Sequence, residues 1–482
     1  VYLFKNSLIL IINSYLNQFI SKFRSFLSIK IFSNILKKDF NSHLNQNTSE
    51  LIHASIDDPN IFVSYVLKSY IQIISEFFIL FFIIFFLILI EPMGSIITFL
   101  IFFIFIVIYL FLSKKYSQRL GIIKRINDER RLFTLKEAYN SIKEIKFFKI
   151  EDYIIKNFSK FNDASSKSFR RHSTITILPK LYFEIVAIIL ILLLVYHTKS
   201  NQYIVNELIF KFAIFGVATV KIIPSLNKIS ILYQNIKYGE AVTLKIYNYI
   251  SSNSLFELRE KSFNKKLLDL ENFKFEKLQV QKLSFAFNDN SKPIFENLSF
   301  TIKKKQLIRI DGSIGSGKST LINVLIGLLK PTSGEIYLNE KRISQSPIEL
   351  NKIVGYVPQS IYILNDSIEN NILFGRVKIP DHKKHLNNLL NMFEFTEVFK
   401  KNYIYENGMN LSGGQRQILG FIRALYNNPK ILIIDEATNS LDEVTEKKIF
   451  NILKKNFFDI TIVGVTHDPK LQNKFDDVIN LK

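Results

Sequence analysis

Arg309 to Thr320 reads RIDGSIGSGKST. Gly312, Gly317, Lys318 and Ser319 fill the spacing G-x-x-x-x-G-K-[ST], whose glycines let backbone N–H groups approach phosphate oxygens. The flanks suit that reading. QLIRI before the run predicts a short buried strand, and STLINVLIGLL after it predicts an apolar helix whose N-terminal dipole favours an anion. Gly312, Ser313, Gly315, Ser316, Gly317 and Thr320 are therefore expected to line a nucleotide's phosphates. Lys318 is expected to reach the β- and γ-phosphates, and the Ser319 hydroxyl to bind Mg²⁺. Glycine usage agrees: of 16 glycines, 12 lie beyond position 300, where backbone must meet ligand.

Further along, ILIIDE (Ile431 to Glu436) is a continuous apolar run ending in two carboxylates, the pattern of a strand buried on both faces. Asp435 at its tip is expected to hold Mg²⁺, and Glu436 to polarise an attacking water. Two solvated acids after a core strand would be the plain reading, were RIDGSIGSGKST not upstream. Together the two motifs describe a P-loop NTPase of no particular kind.

The first half of the chain is different. FFILFFIIFFLILI (Phe77 to Ile90) is 14 apolar residues in a row, and with Ile71 to Ile74 the run is long enough to cross a hydrocarbon core of about 30 Å. Glu91 and Pro92 mark a turn, and Ile96 to Leu112 make a second span. Ile185 to Val195 give a third, Leu208 to Ile223 a weaker fourth interrupted by Lys211 and Lys221, and LILIINSYLNQFI near the start reads as part of another. Several such runs separated by basic loops exclude soluble core helices and predict a polytopic membrane domain.

Charge sets the orientation. The chain carries +21 overall, yet from Lys114 to Arg171 alone there are 16 Lys/Arg against 7 Asp/Glu. The short turns Glu91 to Ser95 and His197 to Glu207 carry about −1 and 0. That asymmetry places the long loops in the cytoplasm, so the basic balance predicts no nucleic acid partner. The chain has no Cys, which excludes disulfides and thiolate metal sites. Among ionisable residues in or near spans, Glu76, Lys180, Glu184, Lys211 and Lys221 either sit at the interface and pair, or line a cavity for a polar or anionic substrate.

Leu411 to Gln415, LSGGQ, narrows the NTPase: the chain resembles the ATP-binding-cassette (ABC) ATPases. The other marks follow in family order: Gln359 in VGYVPQS, Asn439 to Asp442 (NSLD) and His467 in GVTHD. Phe287 in LSFAF takes the place where the family stacks an aromatic ring on adenine, usually Tyr, and Glu406 resembles an acidic residue that exporters carry before the signature. The resemblance covers Lys277 to Lys482 and implies ATP and Mg²⁺ as cofactors, Gln359 and His467 beside Glu436 in catalysis, and Gln359 also at the metal. It further implies that Ser412, Gly413, Gly414 and Gln415, at a helix start, serve the ATP of a second copy in a head-to-tail homodimer.

Membrane spans followed by a cassette on one chain resemble an ABC exporter half-transporter. The expected fold is thus an α-helical polytopic membrane domain over residues 1–262, then an α/β P-loop cassette over 263–482. It is expected in the inner (plasma) membrane, with the cassette cytoplasmic. Such halves normally carry six spans and five are visible, so the first span and the end of the cassette are expected to lie outside this sequence. Helices coupling bundle to cassette are expected near Asp39 to Glu50 and Leu135 to Ile142. SIKEIKFFKIEDYIIKNF, LPKLYFE and VATVKIIPSLNKI resemble bacterial flippases of lipid-linked oligosaccharides, although Lys180 and Lys221 stand where those often show Arg. A peptide or toxin exporter, a drug or lipid exporter, and a non-transporting ABC ATPase are the other readings.

Overall fold

The computed structural model describes residues 2–44, 46–90, 92–200, 205–251, 274–287, 292–343, 350, 353–400, 402–405, 408–438, 441–465 and 475–481. Two compact units result, one of residues 1–38 and 45–259, the other of 39–44 and 260–482. The expected boundary at 262/263 lies outside the described residues.

Long helices make up the first unit: α1 (Tyr2–Leu36), α3 (Thr48–Ile61), α4 (Lys68–Ile90), α5 (Pro92–Asn140), α6 (Ile142–Phe148), α7 (Glu151–Ile175), α8 (Leu178–Ser200) and α9 (Val205–Ser251). At 49 residues, α5 is about 74 Å long by the helical rise, more than twice a hydrocarbon core. One helix therefore serves both as the second expected span and as the polar stalk after it. Three described stretches are long and apolar enough to cross a membrane, Thr48–Ile90, Ser95–Asn140 and Glu151–Ile189. The apolar run of α1 is not among them, because Asn6, Asn13 and Asn17 interrupt it. The weak fourth stretch falls in α9, which continues through Pro224, and the side chains of 205–215 lie outside the described residues. Phe77, Phe82 and Phe86 on α4 are exposed, as lipid-facing side chains must be when no water competes for them.

Inside the apolar part, Leu87, Phe102, Ile106, Phe183, Val186 and Leu226 bury one another. The polar stalks are joined differently. Arg125 on α5 grips Asp58 on α3 with two bonds, Nε to Oδ1 at 3.1 Å and Nη2 to Oδ2 at 2.8 Å, and both residues are buried. Of the ionisable span residues, Glu76 pairs with Lys228 at 2.6 Å, while Lys180, Glu184 and Lys221 are exposed. At two places a glycine lets helices approach closely, once against backbone and once against a side chain. A Cβ on Gly121 would strike the carbonyl of Tyr238, and one on Gly239 would meet Val66. Val66 lies in a π-helical turn, Phe62–Leu67, between α3 and α4.

In the second unit, an antiparallel sheet has the order β2-β1-β4-β5: β1 is Lys277–Phe285, β2 Phe295–Lys303, β4 Ser333–Leu338 and β5 Lys341–Arg342. A parallel sheet has the order β6-β7-β8-β3-β9, with β3 Leu307–Gly312, β6 Val354–Val357, β7 Ile431–Asp435, β8 Thr461–Val465 and β9 Asp477–Leu481. Every residue of β7 and β8 is buried, which matches their unbroken apolar sequence. Helices α10 (Lys318–Leu325), α11 (Ile368–Leu373), α12 (His382–Met392), α13 (Thr396–Phe399), α14 (Gly413–Leu425) and α15 (Glu443–Asn456) complete it. The short α2 (Phe40–Leu44) belongs to this unit: Phe40 packs on its core and Asp39 pairs with Lys330 at 3.6 Å. Across Leu135 to Asn140 no separate short helix forms. There α5 runs on to Asn140 and breaks at Ser141, and the short helix follows at Ile142–Phe148.

Candidate functional site

Strand β3 delivers the chain to a tight loop, and α10 takes it away. Gly317 caps α10 at φ 91°, a left-handed conformation costly for any residue with a Cβ, and an added Cβ would strike Ile294 Cγ2. Glycine is thus required twice over. Arg309 Nη2 holds Asp311 Oδ2 at 2.9 Å, and Asp311 Oδ1 accepts the N–H of Gly312 at 2.9 Å, so an ion pair sets the loop's entrance. Lys318 Nζ donates to the carbonyls of Gly312 at 2.8 Å and Ser313 at 3.1 Å and is buried against its own loop. The result is a cleft of about 490 Å³ lined by Gly315 to Thr320, Ile294 and Glu436.

Acid groups close one side of this cleft. Asp435 ends β7 and is buried; that burial, with the charge of Glu436 beside it, pushes its carboxyl above the ordinary range, while bonds from Tyr356 and Ser319 pull the other way. Tyr356 Oη lies 3.4 Å from Asp435 Oδ2, and burial together with that carboxylate pushes the phenol up. Glu436 turns at φ 50°, which swings its side chain out of the strand's line. Its Oε2 accepts from Gln359 Nε2 at 2.9 Å, and the Gln359 carbonyl accepts from Gln417 at 3.3 Å. No cluster of three His, Cys, Asp or Glu able to hold a metal occurs among the described residues. Ser319 and Asp435 are nevertheless in hydrogen-bond contact, which fits a Mg²⁺ held by few protein groups and by the substrate's phosphates.

Phe287 is partly exposed, its ring edge-on to Phe285 at 5.2 Å. Ser412 caps α14 in a reciprocal box: its Oγ accepts from Gln415 N at 3.2 Å, and its own N–H donates to Gln415 Oε1 at 3.0 Å. Nothing lies within 4 Å of where a Cβ would stand on Gly413. None of Ser412 to Gln415 lines the cleft around Lys318. His467, Glu406, Asn439 and Ser440 lie outside the described residues. Asp442, the last of NSLD, caps α15 by accepting from Thr445 N at 3.2 Å.

Sequence reasoning missed Tyr356, Gln417 and the Arg309–Asp311 pair. Tyr356 could have been found only from the pairing of β6 with β7, which matches Val357 with Ile434 and so brings the two strand ends together.

Two family models match, the ABC transporter transmembrane region over residues 1–221 and the ABC transporter over 295–439. The chain is 34% identical over 200 residues to a putative export ATP-binding/permease protein of Rickettsia typhi, a stretch covering 39% of this chain and 34% of that one. It is 25% identical over 494 residues to the mitochondrial iron-sulfur clusters transporter ATM1 of Kluyveromyces lactis, covering 95% of this chain and 64% of that one. A structure of a bacterial Atm1-family ABC exporter with ATP bound superposes with a TM-score of 0.81 at 20% identity, over 98% of this chain and 82% of that one. The matches span about a third to two thirds of the length of these curated relatives. The chain belongs to the ABC transporters, carrying a helical transmembrane region and an ATP-binding cassette in one polypeptide.

Proposed function

We propose that the chain is one half of an ATP-driven exporter that moves an amphipathic, anionic substrate across the inner membrane, acting as a homodimer with its cassettes in the cytoplasm. The observation that carries this reading is a divided site. The cleft of Lys318 has its own acids, while the capped start of α14, with Gly413 open, stands apart from it on the same chain. A second copy would bring its Ser412 to Gln415 to the first copy's nucleotide, and the reverse.

In that arrangement Lys318 leaves the carbonyls of Gly312 and Ser313 for the β- and γ-phosphate oxygens. Phe287 supplies a ring face for adenine. Mg²⁺, held by Ser319, Asp435 and Gln359, would neutralise charge on the phosphates. Glu436 orients the attacking water and takes its proton. Gln359, bonded to Glu436 here, would report the γ-phosphate to that base. His467 is assigned to the γ-phosphate by its place after β8 in the sequence.

For the substrate, a lipid-linked oligosaccharide is the reading we favour: Lys180 and Lys221 are exposed on the bundle and suit an anionic diphosphate headgroup, as point charges rather than bidentate partners. The test is ATPase stimulation in proteoliposomes by a lipid-linked glycan, compared with peptides and with phospholipids. Stimulation by the glycan alone supports the flippase. Stimulation by peptides alone moves the chain to a peptide exporter.

A further inference from the structure

Where α5 leaves its apolar stretch, and α7 gives way to α8, the helices form one groove of about 640 Å³. Its lining divides by chemistry. Ile108, Leu112, Ile175 and Leu178 make an apolar length, and Ser113, Tyr116 and Arg171 a polar one. The floor is fixed. Tyr109 Oη donates to the Ile175 carbonyl at 3.4 Å and accepts from Gln234 Nε2 at 2.7 Å; Tyr182 Oη donates to the Phe105 carbonyl at 3.3 Å. The two rings lie 5.5 Å apart. The groove therefore exists before anything enters it, with its floor hydroxyls already satisfied.

The rim is cationic. Arg171 is exposed and in no ion pair among the described residues, and Arg170, Lys114 and Lys115, adjoining the groove in sequence, are exposed as well. Basic residues at the cytoplasmic edge of a span draw anionic lipids.

We propose that this groove binds a membrane lipid with an anionic phosphate headgroup, its phosphate on Arg171 and Tyr116 and an acyl chain along Ile108, Leu112 and Leu178. The guanidinium offers two parallel donors to phosphate, and the change from apolar to polar lining falls where headgroup meets chain.

The chain has no Trp, so a single introduced Trp is the only indole present. Leu112→Trp puts the reporter in the groove, and Phe111→Trp, 77% exposed at the neighbouring position, reports bulk lipid. Each is reconstituted in vesicles containing acyl-brominated phosphatidylglycerol or acyl-brominated phosphatidylcholine. Quenching at Leu112→Trp should favour the anionic lipid by about fivefold in apparent affinity, the worth of one basic residue at an anionic surface. Phe111→Trp should show no preference, and Arg171→Ala should erase it at Leu112→Trp. Equal quenching by both lipids at Leu112→Trp, or a preference that survives Arg171→Ala, overturns the site. So does the absence of any quenching there, which would mean that protein covers the groove. Inorganic phosphate is added as competitor; if it alone abolishes the preference, the site holds an ion and not a lipid.

Discussion

Gln359 donates its side-chain N–H to Glu436 across 2.9 Å, linking the segment after β6 to the residue after β7. Neighbouring parallel strands end side by side, so an amide on one reaches a carboxylate on the next without a long loop. The contact ties the proposed base to a residue that also touches Gln417 on α14. Any displacement of Gln359 is thereby felt at both Glu436 and the signature helix.

Glu436→Gln keeps a partner for Gln359 and the shape of the cleft but loses the proton acceptor. Nucleotide binding should stay within a few-fold of the parent, while turnover falls by about 10²-fold or more, the usual worth of a general base. Steady-state hydrolysis beside equilibrium binding of a fluorescent nucleotide checks both halves. Undiminished turnover would place the base elsewhere.

Asp435 gives a pH dependence. Burial and the charge of Glu436 raise its carboxyl above the ordinary range. A carboxyl raised in the folded state holds its proton more tightly there than in the unfolded chain. Stability therefore falls as pH climbs from the ordinary carboxylate range through the raised value. Asp435→Asn removes that penalty. Without nucleotide or metal, its Tm should exceed the parent's by more at about pH 8 than at about pH 5, while its Mg²⁺-dependent turnover is lost. A Tm gain that does not change with pH would contradict the assignment.

The divided site predicts complementation. Ser412→Arg should abolish turnover while leaving that chain's own nucleotide binding intact, and Lys318→Ala should weaken that chain's own nucleotide binding and abolish turnover with it. Mixed dimers hold one site built from the good cleft of the first and the good signature of the second, so co-expression should recover part of the activity. No recovery, with mixed dimers present by affinity pull-down, would argue against sharing.

Asp58 and Arg125 make a fourth case, in the membrane unit. Asp58→Ala leaves a buried guanidinium without its bidentate partner, a loss of about 3–5 kcal/mol. Replacing both, Asp58→Ala with Arg125→Leu, should return most of it. Unfolding of the purified protein in detergent, followed by circular dichroism, distinguishes the two variants.

How much of this was legible beforehand follows from how local each signal is. Gly312 to Ser319 announced their loop because backbone conformation and phosphate chemistry both act within a few residues. Phe77 to Ile90 and Ile96 to Leu112 announced helices long and apolar enough to cross a membrane for the same reason: a bilayer reads composition and length. What failed was punctuation. Lys149 stops α6 in the left-handed conformation with no glycine to mark it, and the π turn at Phe62–Leu67 leaves no trace in periodicity. The short helix expected near Leu135 to Ile142 starts only at Ile142, because Lys, Glu and Ala before it are good helix formers and α5 continues to Asn140. Tyr356 with Asp435, and Arg125 with Asp58, are meetings across 79 and 67 residues that only strand order or helix packing can disclose.

Gly121 resting on the Tyr238 carbonyl has a mechanical corollary. Two helices that close have no slack for sliding past each other, because the first side chain to cross that point would collide with backbone. Gear-like shear between α5 and α9 is thus forbidden at this height, and the pair must travel as one lever, with whatever bending occurs displaced to other joints. A cross-link between positions flanking 121 and 238 should leave such a lever free to swing, whereas one that fastened it to its pivot would stall it.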